Sequence, residues 1–219
     1  MSGPSIVIVD YGLGNLFSVE RALRKVGASN IKLSFENSDI ERAGKLVVPG
    51  VGAFGDGMRN LRERGIVSAL QAYARSGRPV LGVCLGMQLI MSQSEEFGLH
   101  EGLDLIPGKV RRLDSNRDER LKIPHIGWNS LHGSHGPAKG DGLWQGTLLE
   151  GIDEGSSMYF IHSYVVVPDD PDVPIAVTKY GNDTYCSVFR RDNITGAQFH
   201  PELSGEDGLH IYHNFVHGN

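Results

Sequence analysis

The first half of the chain alternates short apolar runs with longer segments in which apolar side chains recur every three or four residues. The apolar runs predict buried strands at Ser5 to Val9, Ile31 to Phe35, Lys45 to Val48 and Pro79 to Val83. The helical spacing predicts helices at Asn15 to Val26, from Asp56 through Arg75, and at Leu85 to Gln93. This alternation is typical of a parallel sheet with its reactive loops at the carboxyl ends of the strands. Asp10, Gly50 and Cys84 each follow a predicted strand, so we expect them at one edge of the sheet.

The second half has shorter strands separated by turn signals, a pattern that favours antiparallel pairing. Strands are predicted at Lys109 to Leu113, Met158 to Val167, Ile175 to Tyr180, Tyr185 to Arg190 and Ile194 to Phe199, and a helix at Gly205 to Val216. Between Leu131 and Thr147 the chain is rich in glycine, histidine and serine, which predicts a mobile surface loop. We therefore expect one α/β domain over residues 1–219, with a mixed, largely parallel sheet flanked by helices and antiparallel strands in the C-terminal half.

The composition excludes several classes of partner and location. The formal net charge is −5 and the basic residues are scattered, which does not suit a nucleic-acid surface. The sequence has no leader-like N-terminus and no apolar run of about 18 residues, so we expect no membrane association and a cytoplasmic location. Two cysteines, Cys84 and Cys186, are too few for a disulfide framework, and we expect both to be thiols.

Cys84 has the surroundings of a nucleophile. It lies in Gly82-Val-Cys-Leu-Gly86, between a predicted strand and a predicted helix. The glycines permit a sharp turn that presents the side chain, and free N–H groups at the start of the following helix favour a thiolate. Cys186, by contrast, lies inside a predicted strand without such a turn, and we expect it to be a packing residue.

A cysteine nucleophile needs a base and a group that orients the base, and Phe199-His-Pro-Glu202 supplies both. Residues two apart on an extended segment face the same way. We therefore predict that Glu202 binds one nitrogen of His200 while the other nitrogen faces the thiol of Cys84.

These motifs resemble those of class I (triad) glutamine amidotransferases. Among them, the chain is most similar to the glutaminase subunits of imidazole glycerol phosphate synthase, a histidine-biosynthesis enzyme. The resemblance extends to Asp10-Tyr-Gly-Leu-Gly-Asn-Leu16, Pro49-Gly-Val-Gly-Ala-Phe-Gly-Asp56, Pro124-His-Ile-Gly-Trp-Asn129, Tyr159-Phe-Ile-His-Ser-Tyr164 and Ser204-Gly205. It implies a flavodoxin-like fold and an enzyme that hydrolyses glutamine to glutamate and ammonia through a thioester on Cys84.

The same resemblance implies further roles. The peptide units at Gly50, Val51 and Gly52 would form an oxyanion hole together with the N–H of Leu85. Substrate glutamine would be held by Gln88 and by the segment His162, Ser163 and Tyr164. Ammonia would pass to a (β/α)8-barrel synthase subunit in a heterodimer, with Asn15 near the oxyanion strand and the interface.

One position departs from the pattern of this family. The histidine-pathway proteins usually carry Lys or Arg after His-Pro-Glu, where it reaches the synthase subunit, and this chain has Leu203. A leucine cannot make a charge-assisted contact. An alternative is therefore a related glutaminase subunit that serves amidotransfer to a sugar in surface-polysaccharide synthesis.

Other interpretations are also open at this point. They are a cysteine hydrolase of the same fold acting on peptides or γ-glutamyl compounds, and a non-catalytic regulator that only binds a partner. Gly12-Leu-Gly14 suggests a dinucleotide loop, but the third glycine position is Phe17. His210 and His213 share a helical face without a third ligand. We predict no cofactor and no metal.

Overall fold

The computed structural model describes residues 5–114, 122–134 and 142–218. Its central element is an eight-stranded sheet, whose order uses strand numbers along the chain: β2-β1-β3-β4-β14-β13-β12-β9. The first five of these strands in the order are parallel, and β13, β12 and β9 continue the sheet antiparallel. Their bounds are β1 Ile6–Val9, β2 Ile31–Ser34, β3 Lys45–Val48, β4 Val80–Val83, β9 His132–Gly133, β12 Pro174–Tyr180, β13 Asp183–Arg191 and β14 Ile194–Ala197.

Two smaller sheets complete the strand structure. A two-stranded sheet pairs β8 with β10, and a four-stranded sheet has the order β11-β7-β5-β6. Their bounds are β5 Met91–Ser94, β6 His100–Glu101, β7 Ile106–Arg112, β8 His125–Ser130, β10 Ser157–His162 and β11 Tyr164–Pro168. The mixed, mostly parallel sheet and the antiparallel C-terminal strands confirm the predicted fold class.

Helices cover both faces of the large sheet. They are α1 Leu16–Lys25, α2 Asn37–Arg42, α3 Phe54–Glu63, α4 Val67–Arg75, α5 Leu85–Leu89 and α6 Gly205–His217, with a 3₁₀ turn at Pro201–Leu203. Strand β1 shows why two helical layers are needed: Val7 and Val9 enter one hydrophobic cluster, and Ile6 and Ile8 enter the other. Within the described ranges, none of these helices is long and apolar enough to cross a membrane.

The predicted helix from Leu85 to Gln93 is wrong in its second half. The helix ends at Leu89, and the chain enters strand β5 at Met91. The carbonyls of Leu89, Ile90 and Met91, which a longer helix would use, accept N–H groups of residues 103–106 instead. Tertiary pairing therefore overrides the helical pattern.

The predicted strand from Met158 to Val167 is also wrong as a single element. His162 ends β10, opposite His125, whereas Tyr164 begins β11, opposite Arg112 in another sheet. Ser163 is the junction, and its carbonyl accepts the N–H of Leu113 at 2.9 Å. This break places the bent segment around Ser163 beside Cys84.

Two further predicted segments differ in part from the structure. The pattern after Asp56 contains two helices, α3 and α4, rather than one continuous run. In the predicted loop from Leu131 to Thr147, positions 132 and 133 form β9 and pair with β12, because their backbone groups complete the sheet edge. Positions 135–141 of that loop lie outside the described residues.

Candidate active site

The predicted site residues converge where neighbouring parallel strands end. Strands β3, β4 and β14 are adjacent in the sheet, and they are followed by Gly50, Cys84 and His200 respectively. Asp10 follows β1 at the same edge and caps its own turn by accepting the N–H of Gly12. The sequence-based prediction that the carboxyl ends would gather the chemistry at one edge is therefore confirmed.

Cys84 occupies a strained turn between β4 and α5. Its backbone has φ 52° and ψ −109°, a region that residues other than glycine rarely adopt. The close packing depends on the neighbouring glycines, since a Cβ on Gly86 would lie 1.7 Å from the carbonyl oxygen of Val48. A Cβ on Gly82 would lie 2.9 Å from the Cα of Met87. Strain at a cysteine that is only 5% exposed is typical of a functional turn.

His200 and Glu202 form a buried pair. Nδ1 of His200 lies 2.8 Å from Oε1 of Glu202, and the two side chains are 4% and 2% exposed. The hydroxyl of Tyr212 donates to the other carboxylate oxygen at 3.2 Å. The pairing was predicted, but the extended geometry was wrong: Glu202 lies in the 3₁₀ turn that Pro201 begins. The turn folds the carboxylate back towards the imidazole.

The second nitrogen of His200 faces the nucleophile without a hydrogen bond of its own. Nε2 is buried and has no partner within hydrogen-bonding geometry among the described residues. Burial disfavours the imidazolium, but the electrostatic attraction of the nearby Cys84 sulfur and the hydrogen-bonded Glu202 carboxylate outweighs it and raises the pKa of His200. The pair can therefore exist as a thiolate beside an imidazolium.

The backbone N–H that follows Cys84 already has a hydrogen-bond partner, the carbonyl of Gly50. The backbone N–H of Leu85 donates to the carbonyl oxygen of Gly50 at 3.3 Å. Tyr11 holds this strand in place, with its hydroxyl donating to the carbonyl of Pro49 at 2.7 Å. Val51 and Gly52 are exposed beyond this contact, and Gly52 has φ +110°. An oxyanion could not use the Leu85 N–H until the Gly50 carbonyl moved away.

A cavity of about 260 Å³ opens beside Cys84. It is smaller than the ~300–1,000 Å³ typical of sites for drug-sized ligands. Its lining contains Val51, Gly52, Cys84, Leu85, Gln88, Glu96, Pro124, Ile161, His162, Ser163 and Tyr164. The residues predicted to hold substrate therefore all border one space. Both Gln88 amide contacts use its nitrogen, to the Tyr164 carbonyl at 2.9 Å and to Oε1 of Gln198 at 3.1 Å.

Sequence reasoning missed two polar residues here, Glu96 and Gln198. Glu96 is the carboxylate in the described lining of the cavity, and Phe54 N–H donates to it at 2.6 Å. Burial raises the pKa of Glu96. Gln198, fully buried, donates to the Cys84 sulfur at 3.7 Å. Its position two residues before His200 was the available signal, whereas nothing local marks Glu96.

His162 belongs to a buried polar cluster behind the cavity. Its Nδ1 lies 3.0 Å from the Tyr164 carbonyl and therefore carries the proton, and its Nε2 lies 3.3 Å from the Tyr185 hydroxyl. That hydroxyl also lies 3.1 Å from Nδ1 of His125. Desolvation lowers the pKa of His125 to about 4 and, with charge repulsion from His125 and His200, that of His162 to about 3. Both imidazoles are neutral in the folded protein at pH 7.

Mild acid should weaken the fold through these two histidines. A histidine whose folded pKa lies below its unfolded pKa of ~6.5 costs stability as pH falls below that value. For His125 and His162 together we expect the free energy of unfolding to drop by about 2–4 kcal/mol between pH 7.5 and pH 5. His200 has a raised pKa, so its contribution to the free energy of unfolding does not fall between pH 7.5 and pH 5. Urea unfolding at the two pH values measures the change, and a His125→Gln variant should show a smaller drop than the parent. Equal stability at both pH values would contradict this assignment.

An exposed apolar surface adjoins the cavity mouth. On the small β8–β10 sheet, Ile126 lies opposite Ile161 and Trp128 opposite Tyr159. The isoleucines are exposed, and Trp128 is 58% exposed, so it is a surface residue rather than part of the core. The 3₁₀ turn that carries Leu203 is tied to β10 by the His200 N–H, which donates to the Tyr159 carbonyl at 2.9 Å.

The other residues marked as candidates lie near or away from this edge. Asn15 is exposed, and its side chain caps helix α1 by accepting the N–H of Ser18. The preceding residue, Gly14, lies close to the Gly50 strand end: a Cβ added to it would be 3.7 Å from the Gly50 Cα. Cys186 is buried in β13, and burial raises the pKa of its thiol. His210 and His213 lie on α6, where Nε2 of His210 lies 3.0 Å from the Glu150 carbonyl. Across residues 5–114, 122–134 and 142–218, no three side chains of metal-binding type are grouped to hold an ion.

The fold and the site together define a class of protein. A thiol on a strained strand-to-helix turn, with a buried His–Glu pair at the carboxyl edge of a mixed sheet, is the arrangement of a cysteine-dependent acyl-transfer enzyme. The sequence profile of the family described as "Glutamine amidotransferase class-I" matches residues 7–218. The chain belongs to the class I glutamine amidotransferase family.

Relatives within this family share a more specific name. The chain is 45% identical to the imidazole glycerol phosphate synthase subunit HisH of Syntrophotalea carbinolica, over 96% of this chain and 98% of that protein. It is 46% identical to HisH of Sulfurimonas denitrificans, over 96% and 97% of the two chains. HisH 1 of Legionella pneumophila (strain Paris) is likewise 46% identical, over 97% and 98%.

Solved structures share the fold at much lower identity. A crystal structure described as a glutamine amidotransferase superposes with a TM-score of 0.70 at 20% identity, covering 97% of this chain and 99% of that one. The structure of PurLQS from Thermotoga maritima gives a TM-score of 0.67 at 18% identity, covering 96% of each chain. The resemblance stated from the sequence is thereby confirmed at the level of family and fold.

Proposed function

We propose that this chain is the glutaminase subunit of an imidazole glycerol phosphate synthase. The observation that carries the proposal is the buried His200–Glu202 pair, at 2.8 Å, whose imidazole interacts with Cys84, a residue that lines the cavity. The names of relatives that are about 45% identical along nearly their whole length point to the same enzyme.

The chemistry follows from these positions. His200 Nε2 takes the thiol proton, and the Cys84 sulfur attacks the carboxamide carbon of glutamine. His200 then returns the proton to the nitrogen, so that ammonia leaves and a γ-glutamyl thioester remains. Water, deprotonated by His200, attacks the thioester carbon, and glutamate is released with the thiol restored. Glu202 keeps the imidazole in the required tautomer and stabilises its charged form.

The oxyanion of each tetrahedral intermediate needs two donors. We assign one to the N–H of Leu85, and the other to the peptide between Gly50 and Val51 after it has turned its N–H inward. In the present conformation the Gly50 carbonyl accepts the Leu85 N–H at 3.3 Å. Glycines on both sides of Val51 lower the steric cost of the turn.

Glutamine is held at its amino-acid end in this proposal. Glu96 supplies the negative charge that an α-ammonium group requires, and backbone groups of His162, Ser163 and Tyr164 face the α-carboxylate. Gln88 uses its amide nitrogen on Tyr164 and Gln198, so its oxygen is left to accept from the substrate.

Replacing Glu96 by glutamine should raise the KM for glutamine by about 10- to 100-fold and change kcat by much less, since the charge contacts the bound amino acid rather than the reacting carbon. Glutaminase kinetics of the partnered enzyme measure the split. Glu95→Gln is the matched control, because Glu95 is exposed and pairs with Lys109 at 2.8 Å; its KM should stay at the parent value. A Glu96 variant with an unchanged KM would remove this residue from the substrate site.

The partner in this proposal is a (β/α)8-barrel synthase subunit. It joins the ammonia to a ribulosyl nucleotide intermediate and forms imidazole glycerol phosphate and an aminoimidazole carboxamide ribotide, in the cytoplasm. The apolar surface of Ile126, Trp128 and Ile161 beside the cavity mouth supports a docking face there, with Asn15 at its edge. Leu203, 42% exposed on the adjoining turn, would make an apolar contact with this partner.

The test is a glutaminase assay of the purified chain alone, with the barrel synthase, and with the synthase and its nucleotide ligand. Imidazole glycerol phosphate should form with glutamine as nitrogen source in the third mixture. Glutamine hydrolysis that the synthase fails to stimulate, but that a sugar-amidating partner stimulates, would replace the acceptor and leave the glutaminase chemistry intact.

A further inference from the structure

A chain of buried amides connects the cavity to the nucleophile. The side-chain nitrogen of Gln88 donates to the carbonyl oxygen of Tyr164 at 2.9 Å and to Oε1 of Gln198 at 3.1 Å. The side-chain nitrogen of Gln198 donates to the Cys84 sulfur at 3.7 Å. Gln198 is fully buried and Gln88 is 5% exposed, so these contacts lie away from bulk water.

The orientations of the two side-chain amides, and so the direction of their hydrogen bonds, follow from one backbone carbonyl. The Tyr164 oxygen only accepts hydrogen bonds, so the end of the Gln88 amide that faces it must be the NH₂ group. The remaining hydrogen of that NH₂ group requires an acceptor, which is Oε1 of Gln198. The opposite end of the Gln198 amide, facing the sulfur, is therefore its NH₂ group. Each amide orientation depends on the preceding one.

The sulfur of Cys84 thus has one acceptor and one donor besides His200. As a thiol, Cys84 donates to the Ile161 carbonyl at 3.8 Å. Its sulfur accepts from Gln198 both as a thiol and as a thiolate. A donor bond to an ionised acceptor is roughly twice as strong as one to a neutral acceptor, so Gln198 favours the thiolate. The helix after Cys84 has only five residues, which limits what its N-terminus contributes.

We infer that Gln198 is a thiolate-stabilising donor for Cys84, and that Gln88 is the positioning residue that aims it. The inference rests on the proposed role of Cys84 as the nucleophile. It gives Gln88 a function towards the sulfur that is separate from any contact with glutamine, and it makes Gln198 part of the reacting centre.

Alkylation of Cys84 by iodoacetamide tests this without glutamine or a partner. The full chain is labelled over a pH range, and the modified peptides are quantified by mass spectrometry. Gln198→Met keeps the side-chain length but removes the donor. At pH 7 it should slow alkylation about 10-fold and move the midpoint of the rate profile up by about one unit. Gln198→Glu, which turns an acceptor towards the sulfur, should have at least as large an effect.

Gln88→Met tests the positioning step. It should slow Cys84 alkylation in the parent but have no additional effect in a Gln198→Met background, because the amide that it aims is then absent. Independent, additive effects of the two substitutions would overturn the positioning role of Gln88.

Cys186 reports on folding within the same samples. It is buried in β13, and burial raises the pKa of its thiol, so it should stay unlabelled while the fold is intact. Slower Cys84 alkylation with Cys186 still protected is the expected result. A normal Cys84 profile in Gln198→Met would overturn the inference. Glutaminase activity that survives in Cys84→Ala would instead contradict the proposed nucleophile.

Discussion

Replacing Cys84 by alanine is expected to abolish glutamine-dependent product formation, with a fall of about 10⁴-fold or more. The reason is that the other thiol of the chain, Cys186, lies buried inside β13 and cannot form the thioester at this edge. The barrel synthase should still make product when ammonium salt is supplied, since its own chemistry does not use Cys84. Both rates are measured in a mixture of this chain with the proposed synthase partner, with formation of imidazole glycerol phosphate as the common readout.

The second thiol provides the matched control for that result. Cys186→Ala removes a buried sulfur from β13, at a site without a base or an elbow. Its glutamine-dependent rate should remain within about twofold of the parent, apart from any loss of stability caused by a small cavity. Residual glutaminase activity in Cys84→Ala that is lost only when Cys186 is also replaced would identify Cys186, and not Cys84, as the nucleophile.

The synthase and its nucleotide ligand together are expected to raise the glutaminase rate by about 100-fold or more. In the isolated chain the Gly50 carbonyl occupies the Leu85 N–H at 3.3 Å, and one oxyanion donor is worth about 10²–10³ in kcat. The proposed function therefore requires partner binding to favour the conformation in which the peptide at Gly50 and Val51 has turned. Steady-state glutamine hydrolysis, with and without the partner, measures the increase.

Alkylation separates this explanation from a change in the thiolate itself. Displacement at iodoacetamide forms no oxyanion, so the Cys84 alkylation rate should change by less than about threefold when the partner is added. A chain that hydrolyses glutamine at the full rate alone, or a partner that accelerates alkylation as much as hydrolysis, would show that the Gly50 carbonyl does not limit the reaction.

The parts of the site that depend on local sequence were predictable. The turn at Cys84 requires glycine on both sides because helix α5 packs against β3 and β4, and those glycines are visible in the sequence. His200 and Glu202 are two residues apart, so their pairing required no knowledge of the fold. Only the predicted extended geometry of that pair was wrong: Glu202 lies in a 3₁₀ turn, and Pro201 permits either conformation.

The parts that depend on distant segments were not predictable. Met91 to Gln93 were predicted as helix because nothing nearby shows that residues 103–106 take the carbonyls of the preceding turn. Glu96 reaches the cavity from the loop after that strand, and Gln198 faces Cys84 across 114 positions of sequence. The hydrogen bond between the Gly50 carbonyl and the Leu85 N–H depends on which way the peptide after Gly50 is turned. The glycines in the sequence permit more than one orientation of that peptide and do not determine which one forms.

Covalent capture by a substrate analogue tests directly whether Cys84 is the nucleophile. The heterodimer with its nucleotide ligand is treated with a glutamine analogue that carries an electrophilic ketone in place of the carboxamide, and the adduct is located by peptide mass spectrometry. We expect one adduct per chain on Cys84, suppressed by excess glutamine and absent in Cys84→Ala. An adduct on Cys186, or no adduct under conditions in which the parent hydrolyses glutamine, would contradict it.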